Sequence, residues 1–172
     1  MPLMPIHFQK WIEEHRHLLK PPVGNRVVYE DTEFIIMVVG GPNSRTDYHI
    51  DPAEEFFYQL EGDMVLKVIE DGKPRDITIH EGEIFLLPAF VPHSPQRFEN
   101  TVGLVVERRR NPGETDAFAW YCQECGNELY RESLQLTDIV KELPPVFARF
   151  YEKEEHRLCS ACGWEMPPKS PS

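Results

Sequence analysis

Gly41-Pro-Asn-Ser-Arg-Thr-Asp-Tyr-His49-Ile-Asp51-Pro-Ala-Glu-Glu55-Phe-Phe-Tyr-Gln-Leu-Glu-Gly62 is bounded by glycines and places a histidine and a glutamate just ahead of an apolar run, Phe56 to Leu60. Later in the chain, Gly82-Glu-Ile-Phe-Leu-Leu-Pro88-Ala-Phe-Val-Pro-His93-Ser-Pro-Gln-Arg97 repeats the plan with a second histidine. Around these segments lie further β-branched and aromatic runs: Val27 to Tyr29, Phe34 to Val39, Met64 to Ile69, Ile77 to Ile79, Ile84 to Leu87 and Val102 to Val106. Turn signals separate them, among them Gly40-Gly41-Pro42-Asn43, Glu61-Gly62-Asp63, Glu70-Asp71-Gly72-Lys73 and Glu81-Gly82-Glu83. Many short strands at close spacing predict an antiparallel barrel or jelly roll. His49, Glu55 and His93 form a two-histidine, one-carboxylate set. Three ligands on one face of an octahedral ion leave room for a bidentate substrate and O₂, the pattern of non-haem Fe(II) oxygenases.

Both spacings resemble the paired motifs of the cupin superfamily. Its first motif has a glycine, a His-x-His pair, a glutamate and a glycine seven residues after it; its second has a glycine, a proline six residues on, a histidine and often an asparagine. Here Asp51 stands where the second histidine of the pair would be, Arg97 replaces the asparagine and Phe90 replaces a glycine. The resemblance implies a jelly-roll barrel with a three-ligand metal.

With 172 residues, of which 41% are hydrophobic, the chain can bury one core and a small appendage. A formal net charge of -11 disfavours nucleic acid and anionic membrane as partners, because phosphate binding is driven by Lys and Arg. The N-terminus lacks a basic region followed by an apolar run, and no stretch approaches the roughly 18 apolar residues of a membrane span, so a cytoplasmic location is expected.

Residues 7 to 19 carry Phe8, Trp11, Ile12, His15, Leu18 and Leu19 at helical intervals, which predicts a short amphipathic helix ended by Pro21 and Pro22. The histidines His7, His15 and His17 here are read as surface or packing residues. We expect residues 1–110 to hold this helix and the barrel, and residues 111–172 to form a tail after Asn111-Pro-Gly-Glu114. The tail is expected to hold a strand from Glu128 to Leu136 and a helix from Asp138 to Tyr151, which Pro144-Pro145 must break or restart. Its two knuckles, Cys122-Gln-Glu-Cys125-Gly126 and Cys159-Ser-Ala-Cys162-Gly163, predict a closed, rubredoxin-like four-cysteine site for zinc or iron that staples a tail too small to fold alone.

If residues 45–49 are extended, Arg45 and His49 share a face, and His93 and Arg97 do the same. Four strand residues span roughly 13 Å, so each histidine has a guanidinium about one small aromatic molecule away. On the last barrel strand, Glu107 alternates with the apolar residues so as to face the same cavity. Arginine takes planar carboxylates in a bidentate way, which makes Arg97 an anchor for an anionic substrate. The alternative for Arg97 and Glu107 is a structural ion pair.

Lys20-Pro-Pro-Val-Gly-Asn-Arg26, Gly40-Gly-Pro-Asn-Ser-Arg-Thr-Asp-Tyr-His49, Glu54-Glu-Phe-Phe-Tyr-Gln59 and Val91-Pro-His-Ser-Pro-Gln-Arg-Phe98, with the cysteine tail, narrow the resemblance to the 3-hydroxyanthranilate dioxygenase family in its bacterial and fungal form. That resemblance covers nearly the whole chain. It implies Fe(II)-dependent extradiol-type cleavage of 3-hydroxyanthranilate by O₂ to 2-amino-3-carboxymuconate semialdehyde, the precursor of quinolinate and NAD in the kynurenine pathway of tryptophan catabolism. Carried over, it makes His49, Glu55 and His93 the iron ligands and Arg45 the dioxygen contact. Arg97 then meets the substrate carboxylate, Glu107 lies near the ring substituents, and Glu55 also touches the substrate. Asn25 and Asp47 match further pocket positions.

Two other readings stay open: a cupin dioxygenase for another ortho-substituted phenol, and a non-catalytic cupin whose zinc ribbon docks a partner. Against the second, the knuckle region carries no basic cluster: Glu124, Glu128, Glu132, Glu152, Glu154, Glu155 and Glu165 outnumber its cations. An exposed sheet edge and the apolar helix suit a homodimer.

Overall fold

The computed structural model describes residues 4–21, 24–43, 45–135 and 139–168. The N-terminal helix α1 spans Phe8–His15 and tightens into a 3-10 turn over Arg16–Leu18. The expected histidines serve locally: the His7 ring accepts the Lys10 backbone N–H at the helix start, and His15 stacks on Trp11 with 4.1 Å between ring centroids. Ile12 is fully buried on the helix's inner face against Leu19, Val38 and Val102. Burying a side chain of that size contributes about 1.5–3 kcal/mol, so the helix is held mainly by docking rather than by its own propensity.

The strands are β1 Asn25–Val27, β2 Phe34–Gly40, β3 Tyr48–Ile50, β4 Glu55–Glu61, β5 Met64–Glu70, β6 Lys73–Ile79, β7 Ile84–Leu87, β8 His93–Arg97, β9 Val102–Arg108, β10 Asp116–Tyr121 and β11 Glu128–Leu134. They form two antiparallel sheets, ordered β1-β2-β9-β4-β7 and β11-β10-β3-β8-β5-β6. Phe57, Met64, Leu66, Val68, Ile79, Leu87 and Val105 fill the space between them. The period-2 pattern explains this: Glu55, Phe57 and Gln59 of β4 are buried, while Phe56, Tyr58 and Leu60 face the other way and are half-exposed. The antiparallel barrel or jelly roll expected from the strand spacing is therefore present, as two facing sheets.

Phe90, standing where the motif has a glycine, has φ +64° and is 67% exposed. A bulky residue in the left-handed region carries strain, and the Phe90 N–H donates to the Asp51 carbonyl at 2.8 Å, which holds the turn against β3.

In the 111–172 segment the structure departs from expectation, while Leu136 and Asp138, at the ends of the expected strand and helix, lie outside the described residues. β10, Asp116–Tyr121, was not anticipated, and all of its residues are buried. It pairs with β3 through Ala117↔Ile50, Phe118↔His49 and Ala119↔Tyr48, so the tail extends a barrel sheet. The second departure is α2, which runs unbroken from Ile139 to Glu152 through Pro144 and Pro145. Each interior proline costs about 3 kcal/mol. Offsetting this, Leu143, Val146 and Phe150 of α2 bury themselves against Phe118 and Trp120, with Phe150 stacked on Trp120 at 4.2 Å and 11°. A short helix α3, Glu154–Arg157, then leads to the second cysteine knuckle. Among the described residues no helix is long and apolar enough to cross a membrane.

Candidate active site and four-thiol cluster

Two cross-strand pairs build the site. In one sheet His49 of β3 faces His93 of β8, and in the other Glu55 of β4 faces Glu107 of β9. The His49 Nδ1 lies 3.5 Å and the His93 Nε2 3.0 Å from the Glu55 Oε1, and one ligand atom from each residue lies within 4.8 Å of the others. Despite the 3.0 Å separation, the His93 contact lacks hydrogen-bond alignment, which leaves Glu55 Oε1 buried without a hydrogen-bond partner. Two ring nitrogens and an orphaned carboxylate oxygen converging on one point fit a cation. The second nitrogen of each ring is already engaged. His93 Nδ1 donates to the Val91 carbonyl at 3.0 Å, and His49 Nε2 sits 2.7 Å from Asp116 Oδ1. Such contacts fix the tautomer and leave the inward nitrogen free to ligate.

Charges in the site are strongly biased. Burial alone would push Glu55 up, but the facing His93 and His49 rings hold its carboxylate well below the usual range. Burial disfavours the His49 cation, yet the neighbouring Asp116 and Glu55 carboxylates reverse this and raise it to about 9.

The ligands open onto a cavity of about 520 Å³, walled by Ile35, Met37, Val39, Phe57 and Val105, with Asn25, Arg45, Arg97 and Glu107 as polar lining. Arg45 lies ahead of β3 rather than on it, but still reaches the cavity, where it pairs with Asp47. Burial works against its charge, and Asp47 more than compensates. His93 and Arg97 share β8 and both line the cavity, as expected from their spacing.

Arg97 is buried, and among the described residues it has no carboxylate partner. Its one side-chain bond is from Nη1 to Gln59 Oε1 at 3.2 Å, and burial lowers it to about 10. The alternative of an Arg97–Glu107 ion pair is not what the fold makes. Glu107 lies 3.3 Å from Arg110 instead, and it is pushed up by burial and then by Glu55.

Sequence reasoning missed Arg110 and Asp116, which organise the back of the site. Arg110 reaches Asp116 Oδ1 at 2.5 Å and Asp51 Oδ2 at 2.7 Å. The Asp51 contact is charge pairing without good hydrogen-bond alignment, and the other Asp51 oxygen accepts the Ala53 N–H at 2.6 Å. Asp51, at the position of the absent histidine, is thus engaged by an arginine and a backbone N–H. The one available signal for Asp116 was a carboxylate opening the apolar run Ala117 to Tyr121.

The four cysteines meet at the far end of β10. Cys122 and Cys162 sulfurs are 3.5 Å apart and Cys125 and Cys159 sulfurs 3.6 Å apart, far beyond the roughly 2.05 Å of a disulfide. Around a tetrahedral ion with metal–sulfur bonds of about 2.3 Å, sulfurs sit about 3.8 Å apart, so the set fits a closed thiolate site. Each knuckle closes on itself: Gly126 N–H donates to the Cys122 carbonyl and Gly163 N–H to the Cys159 carbonyl, both at 2.9 Å. Both glycines have positive φ, 76° and 78°, which the turns require.

A family described as 3-hydroxyanthranilic acid dioxygenase matches residues 1–151. A 3-hydroxyanthranilate 3,4-dioxygenase of Jannaschia sp. (strain CCS1) is 58% identical over 170 residues, 98% of this chain and 94% of that protein. One of the same name from Xanthomonas euvesicatoria pv. vesicatoria (strain 85-10) is 57% identical over 167 residues, 97% of this chain and 94% of that protein. Among solved structures, a cupin-2 domain containing protein from Shewanella frigidimarina aligns with a TM-score of 0.49 at 22% identity, covering 60% of this chain and 94% of that one.

Proposed function

We propose that this chain, which belongs to the 3-hydroxyanthranilic acid dioxygenase family, opens the ring of 3-hydroxyanthranilate with both atoms of O₂ to give 2-amino-3-carboxymuconate semialdehyde, the precursor of quinolinate and NAD. His49, Glu55 and His93 hold Fe(II). Iron held there would supply Lewis-acid and one-electron redox chemistry for the reaction of O₂ with the aromatic ring.

The chain's own groups do the rest. Arg97 receives the substrate carboxylate, and Arg45 presents a guanidinium where dioxygen takes up negative charge, a preorganised electrostatic role. Glu107, pushed up by burial, faces the ring substituents and takes up the hydroxyl proton as the substrate settles. The apolar wall of Ile35, Met37, Val39 and Val105 keeps competing water away from the opened ring.

The observation that carries this reading is Arg97, a buried guanidinium on the cavity wall with no carboxylate partner among the described residues. Protein loaded anaerobically with Fe(II) should take up O₂ when given 3-hydroxyanthranilate; no uptake from fully iron-loaded protein would sink the assignment. Arg97→Ala should raise KM for 3-hydroxyanthranilate by roughly a hundredfold, as expected for truncating one side of a buried charge pair, with iron content unchanged. The pH dependence follows from the lowered Arg97. Because it loses its proton near 10 rather than at the usual arginine value, the preference for a carboxylate-bearing substrate should be full at neutral pH and fall as pH rises through about 10.

The four-thiol cluster holds zinc or iron as a staple for residues 111–172, while residues 1–110 supply the iron ligands and the substrate anchor. The protein works in the cytoplasm as a homodimer. Phe34, Ile84 and Leu86, 52%, 66% and 54% exposed on the outer face of the β1–β7 sheet, support a partner subunit there.

A further inference from the structure

Gln59 is the residue the reaction leaves unexplained. It lies on the inward row of β4 with Glu55 and Phe57, is 1% exposed, and brings an uncharged amide up to the buried Arg97 guanidinium. A buried amide is costly unless both its ends are bonded. Here both are: Oε1 accepts from Arg97 Nη1 at 3.2 Å, and Nε2 donates to the Glu61 carbonyl at 3.1 Å. The amide cannot face the other way, because arginine only donates and a carbonyl only accepts. The Glu61 carbonyl is brought into reach by the irregularity between Gln59 and Glu61, where β4 shifts register against β9.

Gly103 completes the arrangement from the facing strand, where it pairs with Gln59. A Cβ on Gly103 would stand 2.5 Å from Arg97 Nη1, 3.1 Å from Nη2 and 2.8 Å from Gln59 Oε1. The guanidinium therefore occupies the volume a side chain would need. The Arg97 backbone is pinned as well, its N–H donating to Asn43 Oδ1 at 2.7 Å and its carbonyl accepting the Asn43 N–H at 3.1 Å.

We propose that Gln59 and Gly103 are positioning residues that keep the Arg97 guanidinium aimed at the cavity and free of an internal counter-ion, and thereby set the site's preference for ring substrates bearing a carboxylate. The inference rests on the reading of Arg97 as the carboxylate anchor. The choice of amide over carboxylate is what matters. A glutamate at 59 would meet the same guanidinium and neutralise it from within, and an incoming carboxylate would then have to displace it. The glutamine occupies one of the five arginine N–H groups and no charge, which leaves the planar fork for a bidentate external partner. The depressed proton affinity of Arg97, at about 10, agrees with a cation buried without a counter-ion.

The test measures equilibrium binding, in the iron-loaded protein without oxygen, of 3-hydroxyanthranilate and of 2-aminophenol, which keeps the hydroxyl and amine but lacks the carboxylate. Gln59→Glu should lower the ratio of the two affinities by roughly tenfold to a hundredfold, the range for a charge-assisted hydrogen bond, leaving the affinity for 2-aminophenol near wild type. Gln59→Met, which removes the acceptor without adding charge, should lower the ratio by less. Gly103→Ala should lower it by shifting the guanidinium; should that variant fail to fold, the two Gln59 variants decide alone. Arg97→Ala is the reference. If it collapses the ratio and Gln59→Glu does not, the present inference is wrong and the anchor stands. Equal weakening of both ligands in Gln59→Glu also overturns it, as general damage. If Arg97→Ala leaves the ratio at the wild-type value, the anchor itself is wrong and the inference goes with it.

Discussion

The His49–Glu55–His93 cluster and the four-thiol cluster each bring a complete ligand set together, but they do so by opposite means. The first takes its ligands from strands already paired within two sheets, and one side faces a cavity of about 520 Å³. The second takes its ligands from two self-closed turns, and its four sulfurs lie within 4.8 Å of one another, the pairs Cys122–Cys162 and Cys125–Cys159 at 3.5 and 3.6 Å. In the barrel the candidate ligands are placed by strand pairing; in the tail they are placed by two local turns. An open site is suited to chemistry and a closed one to stability.

Removing a ligand from each cluster gives the largest contrast. His93→Ala should abolish metal binding at the cavity and lower ring opening at least roughly a thousandfold, since a bound metal supplies several kcal/mol of charge stabilisation. The thiol metal should stay, so metal analysis should find one equivalent fewer per chain. Cys159→Ser should do the reverse: the cavity metal stays, while backbone amides of α2 and α3 lose protection from hydrogen exchange. If Cys159→Ser strips the cavity metal as fully as His93→Ala does, the clusters are not independent and the contrast fails.

The two clusters were also unequally legible in the sequence. The knuckles are local: each needs two cysteines and a turn glycine within a few residues, so spacing alone reveals them. The barrel strands were legible through alternation and turn residues, and the ligand triad through its motif. What lay hidden depended on contacts between distant segments. Asp116 touches His49 only because β10 pairs with β3, and β10 itself shows no alternation because it is buried on both faces. Pro144-Pro145 signalled a break that packing of Phe150 on Trp120 overrides. Gln59 looked like any polar residue in a strand until its row proved to face inward.

Asp116 is where the tail reaches the His49–Glu55–His93 cluster, and it gives the next largest effect. Its carboxylate, held by Arg110, supports His49 from behind. Asp116→Asn keeps the shape and removes the charge that raises His49, so the ring becomes a weaker ligand. Losing such a support typically costs about tenfold to a hundredfold in metal affinity. Competition with a metal-sensitive dye should show the loss at the cavity site and none at the thiols. Unchanged cavity affinity would mean that the paired strands alone fix His49.

The smallest effect tests how far the tail matters beyond that one carboxylate. The Tyr151 hydroxyl of α2 hydrogen-bonds to Thr46 Oγ1, in the segment that also carries Arg45 and Asp47. Tyr151→Phe deletes one half-buried bond, worth about 0.5–1.5 kcal/mol. If the tail is only a brace, the loss should appear in the thermal midpoint, with KM for O₂ and for the aromatic substrate unchanged. A rise in the O₂ KM would mean instead that α2 positions Arg45. The closed cluster, by ordering the helix that follows it in space, would then be acting on the open one.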